Sequence, residues 1–226
     1  MKIDDPKIVG LQEMVTAAQH EFDMAIAFHE VWKPATYDKE LHSRLGVSYA
    51  TQAFLVVRNA LRREMLLALM RMWDTNSRAI RMGSIADTLR EDSVIELLAS
   101  DRASRFVKHA LIDESAVVDQ MRDDLRKRAN DAVLLIAKYS RGGKSEGAFK
   151  KIRALRHERL AHRQLAQTTA MTTGADATDE EIEEFYQDNS KLIEILLGLV
   201  SAIAYAPQDT AYIFGFYADH FWKRVS

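Results

Sequence analysis

The stretch VSYATQAFLVVRNALRREMLLALMRMW, residues 47–73, decides the fold class. Its apolar residues recur at three- and four-residue spacing, which is the period of one face of an α-helix and not the alternation of a strand. Spacing this close to a heptad suits the core of a helical bundle. The stretch therefore predicts a long helix, ended by Asp74-Thr75-Asn76, whose seam consists of Phe54, Val57, Leu61, Met65, Leu69 and Met72.

Before this stretch, a first helix is predicted from Pro6 to about Trp32. Proline is favoured in the first turn of a helix, which suits Pro6. We expect the helix to stop before Pro34, because a proline disfavours the helical conformation in the residue preceding it. The apolar residues of this first helix recur at the same three- and four-residue spacing, so we expect it to pack against the helix of residues 47–73.

After this stretch, capping signals mark further helices. Ser84 with Asp87 resembles a capping box and predicts a short helix, followed by a turn or two at 94–98 and a longer helix over 103–139. A helix over 148–165 comes next. Two more are predicted near the end, one opened by the capping box of Thr178 with Glu181 and running to Tyr205, and a short one beginning at Pro207.

These elements predict an all-α fold in a single domain spanning residues 1–226, a bundle of long antiparallel helices with extra short ones. Only 3 prolines and 9 glycines interrupt the chain. We find no internal repeat at solenoid periods and no Pro-, Gly- or Ser-rich linker that would divide two domains.

Composition restricts the functional classes. The net charge of -2, from 31 Lys+Arg and 33 Asp+Glu, excludes a globally basic nucleic-acid coat, so any polyanion site must be local. The absence of cysteine excludes disulfides and thiolate zinc sites. We expect the polar N-terminus not to be a signal peptide, and the most apolar stretch, 192–205, is shorter than the roughly 20 residues of a spanning helix. We expect a cytoplasmic protein without a membrane or metal site.

The heptapeptide RHERLAH, Arg156–His162, is the strongest candidate for a catalytic motif. Metal-independent RNA cleavage needs a group that moves protons near neutrality, which the His162 imidazole can do. It also needs donors for the charge that gathers on the phosphate oxygens, which the Arg156 guanidinium can supply. From Lys144 to Arg163 there are seven Lys or Arg and two Glu, a local basic stripe. An acidic segment, residues 176–188, follows and could attract this basic stripe electrostatically.

Helix geometry constrains this pair. Six residues on an ideal helix advance by about 9 Å and turn the two side chains about 120° apart. Arg156 and His162 therefore meet only if the helix ends irregularly near His162, or if two motif helices meet about a two-fold axis.

The heptapeptide resembles the signature of the HEPN superfamily, an Arg, an adjacent polar residue and, after a short gap, a His; the abortive-infection-type proteins look most similar. The resemblance implies an endoribonuclease of toxin-antitoxin or antiviral defence that acts on RNA as a homodimer with a composite site, leaves a 2',3'-cyclic phosphate, needs no cofactor and has a possible antitoxin partner. Arg156 and His162 would be catalytic. Supporting or RNA-binding roles fall to His157, Arg159, Arg163 and, from a motif like Arg71-Met72-Trp73-Asp74, to Asp74 and Arg71.

Other interpretations of the same residues stay open. Arg156 and His162 could lie on an exposed helix face, with Glu158 and His162 as an ordinary i,i+4 pair. Asp74 could simply end its helix. The protein could be a non-catalytic helical dimer that binds RNA, nucleotide or a protein partner through a basic cleft, or a structural scaffold. We reject a zinc protease, because His157 and His162 are five residues apart and not four.

Overall fold

The computed structural model describes residues 5–76, 79–107, 114–155 and 177–225. These residues form an all-α domain. Between α8 and α9, the chain widens into a π-helical turn, Leu197–Ser201. The α-helices are α1 Pro6–Tyr37, α2 Lys39–Leu45, α3 Tyr49–Arg71, α4 Met82–Leu89, α5 Asp92–Val107, α6 Glu114–Tyr139, α7 Glu146–Leu155, α8 Asp179–Leu196 and α9 Pro207–Trp222.

The long helix α1 is the centre of the bundle. It packs antiparallel to α3, so that Glu21 near the middle of α1 meets Arg71 at the end of α3. It also packs antiparallel to α8, where Phe22 contacts Tyr186. One hydrophobic core joins these helices to α4–α7, and a smaller cluster packs the end of α1 against α2, α3 and α9. The predicted seam of α3 is confirmed at Phe54, Met65, Leu69 and Met72, which are buried, but is wrong at Val57, which is exposed.

The prediction that the first helix stops before Pro34 is wrong. Helix α1 continues through this proline to Tyr37, and the Pro34 carbonyl accepts the Asp38 N–H at 2.9 Å. The side chains on either side, Trp32 and Ala35, are buried. Because a helix interior tolerates proline only at a cost of about 3 kcal/mol, we attribute the continuation to the burial of these neighbours.

Several other predicted boundaries are corrected. Helix α4 begins at Met82, so Ser84 lies inside it, and Asp87 pairs with Arg90 instead of completing a capping box. The turn predicted at 94–98 belongs to the 16-residue helix α5, and the final helix is likewise 16 residues long. Residues 108–113 and the second half of the helix predicted over 148–165 lie outside the described residues.

The end of the bundle at α8 was predicted only in part. The capping box is confirmed, since Thr178 Oγ1 accepts the Glu181 N–H at 3.2 Å and a Glu181 carboxylate oxygen accepts the Thr178 N–H at 2.9 Å. The helix ends earlier than predicted, however, because the π-helical turn closes at Ala202 in the left-handed conformation, φ 54°. Among the described helices, none is both long and apolar enough to cross a membrane.

A buried histidine joins α1 to α8. The His29 ring is 2% exposed, stacks on Tyr186 at 3.9 Å between centroids, and lies within 2.8 Å of one carboxylate oxygen each of Glu30 and Glu183. Burial alone lowers the pKa of His29, but the hydrogen bonds to Glu183 and Glu30 outweigh it and raise that pKa above its ordinary value. The imidazolium form therefore stabilises the contact between the two helices.

We expect the stabilisation by His29 to depend on pH. Because the folded-state pKa is raised, the contribution is complete below the unfolded pKa of about 6.5 and is lost as the pH rises through the folded-state value. The free energy of unfolding of wild type minus that of His29→Gln, measured in urea, should therefore be larger at pH 6 than at pH 9. A difference that is constant over this range would contradict the charged His29.

Candidate functional site

A cleft of about 490 Å³ lies where the ends of α3 and α6 meet α4 and α7. We call it the α4–α7 cleft. It lies close in sequence to the candidate motif, because its lining residue Arg153 precedes Arg156 by three positions. Its lining residues are Trp73, Asp74, Thr75, Arg81, Met82, Gly83, Ser84, Asp87, Tyr139, Ser140, Arg141, Glu146, Phe149, Lys150 and Arg153.

An aromatic cluster forms the apolar wall of this cleft. The Trp73 ring lies 5.4 Å from Phe149, 5.7 Å from Tyr139 and 5.7 Å from Phe185, all between centroids. The indole N–H donates to Oδ1 of Asn189 at 2.8 Å. Tyr139 donates its hydroxyl to Asp188 at 2.6 Å, and burial raises the pKa of this tyrosine. The cluster fixes α7 against α3, α6 and α8.

Cationic side chains outnumber the acidic ones around the cleft, four to three. Lys150 pairs with Glu146 at 2.7 Å, and this contact, with the Gly142 N–H, lowers the pKa of Glu146. In the described part of the chain, Arg81, Arg141 and Arg153 are in no ion pair. The cations are therefore Arg81, Arg141, Lys150 and Arg153, and the acids are Asp74, Asp87 and Glu146. The three arginines are available to phosphate oxygens, for which a guanidinium is well shaped.

Asp74 and Arg71, the two predicted site residues near the end of α3, have different surroundings in the structure. Asp74 lines the cleft and does not end the helix as predicted, because α3 already ends at Arg71 with Met72 as its C-cap; Asp74 Oδ1 instead holds the following loop by accepting the N–H of Thr75 at 2.6 Å and of Asn76 at 3.0 Å. Arg71 pairs with Glu21 of α1 at 3.0 Å and is not among the residues that line the cleft. The other predicted site residues, Arg156, His157, Arg159, His162 and Arg163, lie outside the described residues.

Ion pairs hold both flanks of the segment that carries the motif. On the N-terminal side, Lys151 of α7 pairs with Glu181 of α8 at 2.7 Å. On the C-terminal side, Asp179 pairs with Arg62 of α3 at 3.1 Å. The Lys151 contact also lowers the pKa of Glu181. Basic α7 and the acidic start of α8 are thus in contact, as their charge patterns predicted, and both flanks are attached to the bundle.

Some residues of the cleft were missed from the sequence. Lys150 and Arg153 belong to the predicted basic stripe, but Arg81 and Arg141 are separated from each other by 60 positions and no local pattern connects them. Arg81 reaches the site because its backbone forms an isolated antiparallel bridge with Trp73. The fold, and not a motif, brings these arginines to α7.

One comparison with known proteins identifies a family. The family model described as HEPN AbiU2 matches residues 8–221, which is nearly the whole chain and includes the heptapeptide, the α4–α7 cleft and all but the last residue of α9. No curated protein and no solved structure gave a match.

Proposed function

The chain belongs to the AbiU2 family of HEPN proteins, and from this membership we propose that it is a metal-independent endoribonuclease of toxin-antitoxin or antiviral defence. The family itself suggests a nuclease-like or abortive-infection role. The observation that carries the finer proposal is the Arg156–His162 heptapeptide, which supplies a proton-transfer group and a phosphate-binding group without a metal.

The α4–α7 cleft supports this proposal through its charge and its position. Arg153 lies three residues before Arg156 and lines the cleft together with Arg81 and Arg141. In this proposal, these arginines bind the phosphates that flank the scissile bond, Arg156 stabilises the reacting phosphate, and His162 transfers the proton. His157, Arg159 and Arg163 bind RNA beside them. Asp74 orients the loop after α3, and Arg71 acts only through its contact with α1.

We further propose that the active species is a homodimer. The angle of about 120° between Arg156 and His162 on an ideal helix separates the two side chains. A second copy of the chain, related by a two-fold axis, would complete the site with its own pair. Sedimentation should therefore detect a dimer at concentrations at which the protein cleaves RNA. A possible antitoxin would be a protein that covers this shared site.

Cleavage of RNA in the presence of EDTA tests the proposal. Wild-type protein should cleave a single-stranded RNA without divalent cations and leave a 2',3'-cyclic phosphate, whereas the double variant Arg156→Ala/His162→Ala, purified identically, should not. The non-catalytic interpretation predicts salt-sensitive binding without turnover. Equal cleavage by both proteins, or cleavage only with Mg²⁺, would refute the ribonuclease proposed here.

Charge reversal in the cleft should weaken RNA binding. We expect Arg153→Glu to reduce the affinity several-fold at low salt and to lower the slope of log affinity against log salt by about one, because one phosphate contact is lost. Lys127→Glu is the matched control, since Lys127 is exposed on α6, 14 residues before the cleft residue Arg141. Fluorescence anisotropy with a labelled RNA would measure the affinity and the salt dependence of both variants. Equal losses in the two variants would exclude the α4–α7 cleft as the RNA site.

A further inference from the structure

A second and larger cavity, about 800 Å³, lies on the other side of α8, where α8 faces α1 and α9. We call it the α1–α9 groove. Each helix contributes residues at helical spacing, so that the groove is a continuous surface between three elements. Its lining residues are Glu30, Lys33, Pro34, Tyr37 and Asp38 at the end of α1, Tyr186, Gln187 and Ser190 of α8, and Pro207, Gln208, Ala211, Tyr212, Gly215, Phe216 and Asp219 of α9.

Aromatic rings surround this groove. Tyr212 and Phe216 occupy successive turns of α9 and are 77% and 53% exposed, and Tyr37 on the opposite wall is 53% exposed. Tyr186 lies beneath them, buried, with its ring stacked on His29. Large exposed aromatic side chains concentrated at one cavity are typical of a recognition surface, since aromatic anchors dominate the energetics of interfaces.

The same groove is acidic. Three carboxylates line it against a single cation, Lys33. Glu30 directs one oxygen to His29, and its other oxygen would lie 3.6 Å from a Cβ at Gly215, so the absent side chain leaves that oxygen uncovered. Asp219 is exposed and, in the described part of the chain, forms no ion pair. Asp38 caps α2 through Oδ1 alone. Each of the three carboxylates thus retains an oxygen that could accept a further hydrogen bond.

From this juxtaposition of aromatic faces and carboxylates in one cavity, we propose that the α1–α9 groove binds an arginine- or lysine-rich segment of a partner protein. Guanidinium and ammonium groups bind over aromatic rings by cation–π attraction and pair with carboxylates. Polyanions, including RNA and anionic lipid surfaces, are repelled by the same charges. This binding site is separate from the α4–α7 cleft and does not depend on RNA cleavage.

A second copy of this chain fits the groove less well. A two-fold symmetric contact places a patch against the same patch of the partner subunit. Centred on the groove, such a contact would bring Glu30 and Asp219 close to their own symmetry copies, and like charges at an interface are unfavourable. A basic segment removes this conflict and covers the exposed Tyr212 and Phe216.

The test uses a fluorescein-labelled hexa-arginine peptide and the full-length protein. Fluorescence anisotropy should show salt-sensitive binding that the double variant Phe216→Ala/Asp219→Asn weakens at least tenfold. The control Tyr217→Ala/Asp209→Asn likewise removes one exposed aromatic ring and one carboxylate charge on α9, but outside the groove, and should change the affinity by less than twofold. Both Tyr217 and Asp209 are exposed, so neither control change should affect folding, which circular dichroism would verify.

Competition experiments and sedimentation distinguish a basic protein segment from a polyamine and from a second copy of the chain as the molecule that occupies the groove. Unlabelled hexa-lysine should compete and hexa-glutamate should not. If spermidine competes as well as hexa-lysine at equal concentration of charge, the groove is a polyamine site and the protein-partner proposal is wrong. It is also wrong if the peptide fails to bind, if both double variants lose affinity equally, or if the groove variant instead converts a dimer to a monomer.

Discussion

Replacing His162 by alanine should reduce RNA cleavage in EDTA by about 10²- to 10⁴-fold, the usual contribution of a positioned acid or base. RNA affinity should change little, because in the proposed mechanism the imidazole acts on the 2'-hydroxyl or the leaving oxygen while the arginines hold the phosphates. His20→Ala is the matched control, since His20 is exposed on α1 and lies outside the heptapeptide and both cavities. A single-turnover assay with labelled RNA would measure the rates.

The proposed dimer predicts a second result, which depends on mixing two inactive variants. If the site combines Arg156 of one protomer with His162 of its partner, mixing the inactive Arg156→Ala and His162→Ala proteins should restore part of the activity, because a mixed dimer retains one intact pair. Two variants that stay inactive after subunit exchange would contradict the composite site. Equal activity of His162→Ala and wild type would contradict the role of His162 itself.

Local signals in the sequence predicted that the described chain is helical, but they placed several helix boundaries wrongly. The capping box of Thr178 with Glu181 needs only residues three apart, and it forms as predicted. Pro34 shows where local rules fail, because the burial of Trp32 and Ala35 keeps the helix intact through a residue that usually ends one. The π-helical turn also could not be predicted by local rules, because it contacts a residue that is far away in the sequence. Arg102 of α5 donates to the carbonyl oxygens of Gly198 and Leu199, both at 2.6 Å, a contact between distant parts of the chain.

The candidate site was predictable only where its residues are close together in sequence. The heptapeptide and the basic stripe around Lys150 can be recognised from spacing and charge. Arg71 and Asp74 are also close in sequence, yet one faces Glu21 of α1 and the other the α4–α7 cleft. Periodicity identifies a helix and its buried face, but the exposed residue that faces a cavity depends on which helices pack alongside.

Replacing Trp73 by alanine should destabilise the fold by at most about 3–5 kcal/mol, the usual cost of removing a large aromatic side chain from a core, because Trp73 is partly buried against the core. Trp73 contacts rings from α6, α7 and α8, so its loss opens the junction that holds α7. The loss would be a large fraction of a typical stability of about 5–15 kcal/mol. Urea unfolding followed by circular dichroism would measure the change.

The conservative variant Trp73→Phe separates packing from hydrogen bonding. It keeps a ring but leaves Oδ1 of the buried Asn189 without the indole N–H, which should cost about 1–3 kcal/mol. A loss below 1 kcal/mol for Trp73→Ala would mean that the cluster does not hold α7. Because Arg156 directly follows α7, a loosened junction should also lower the RNA cleavage rate of Trp73→Ala at temperatures where it is still folded. Trp73→Phe, which keeps the ring, should retain most of that rate.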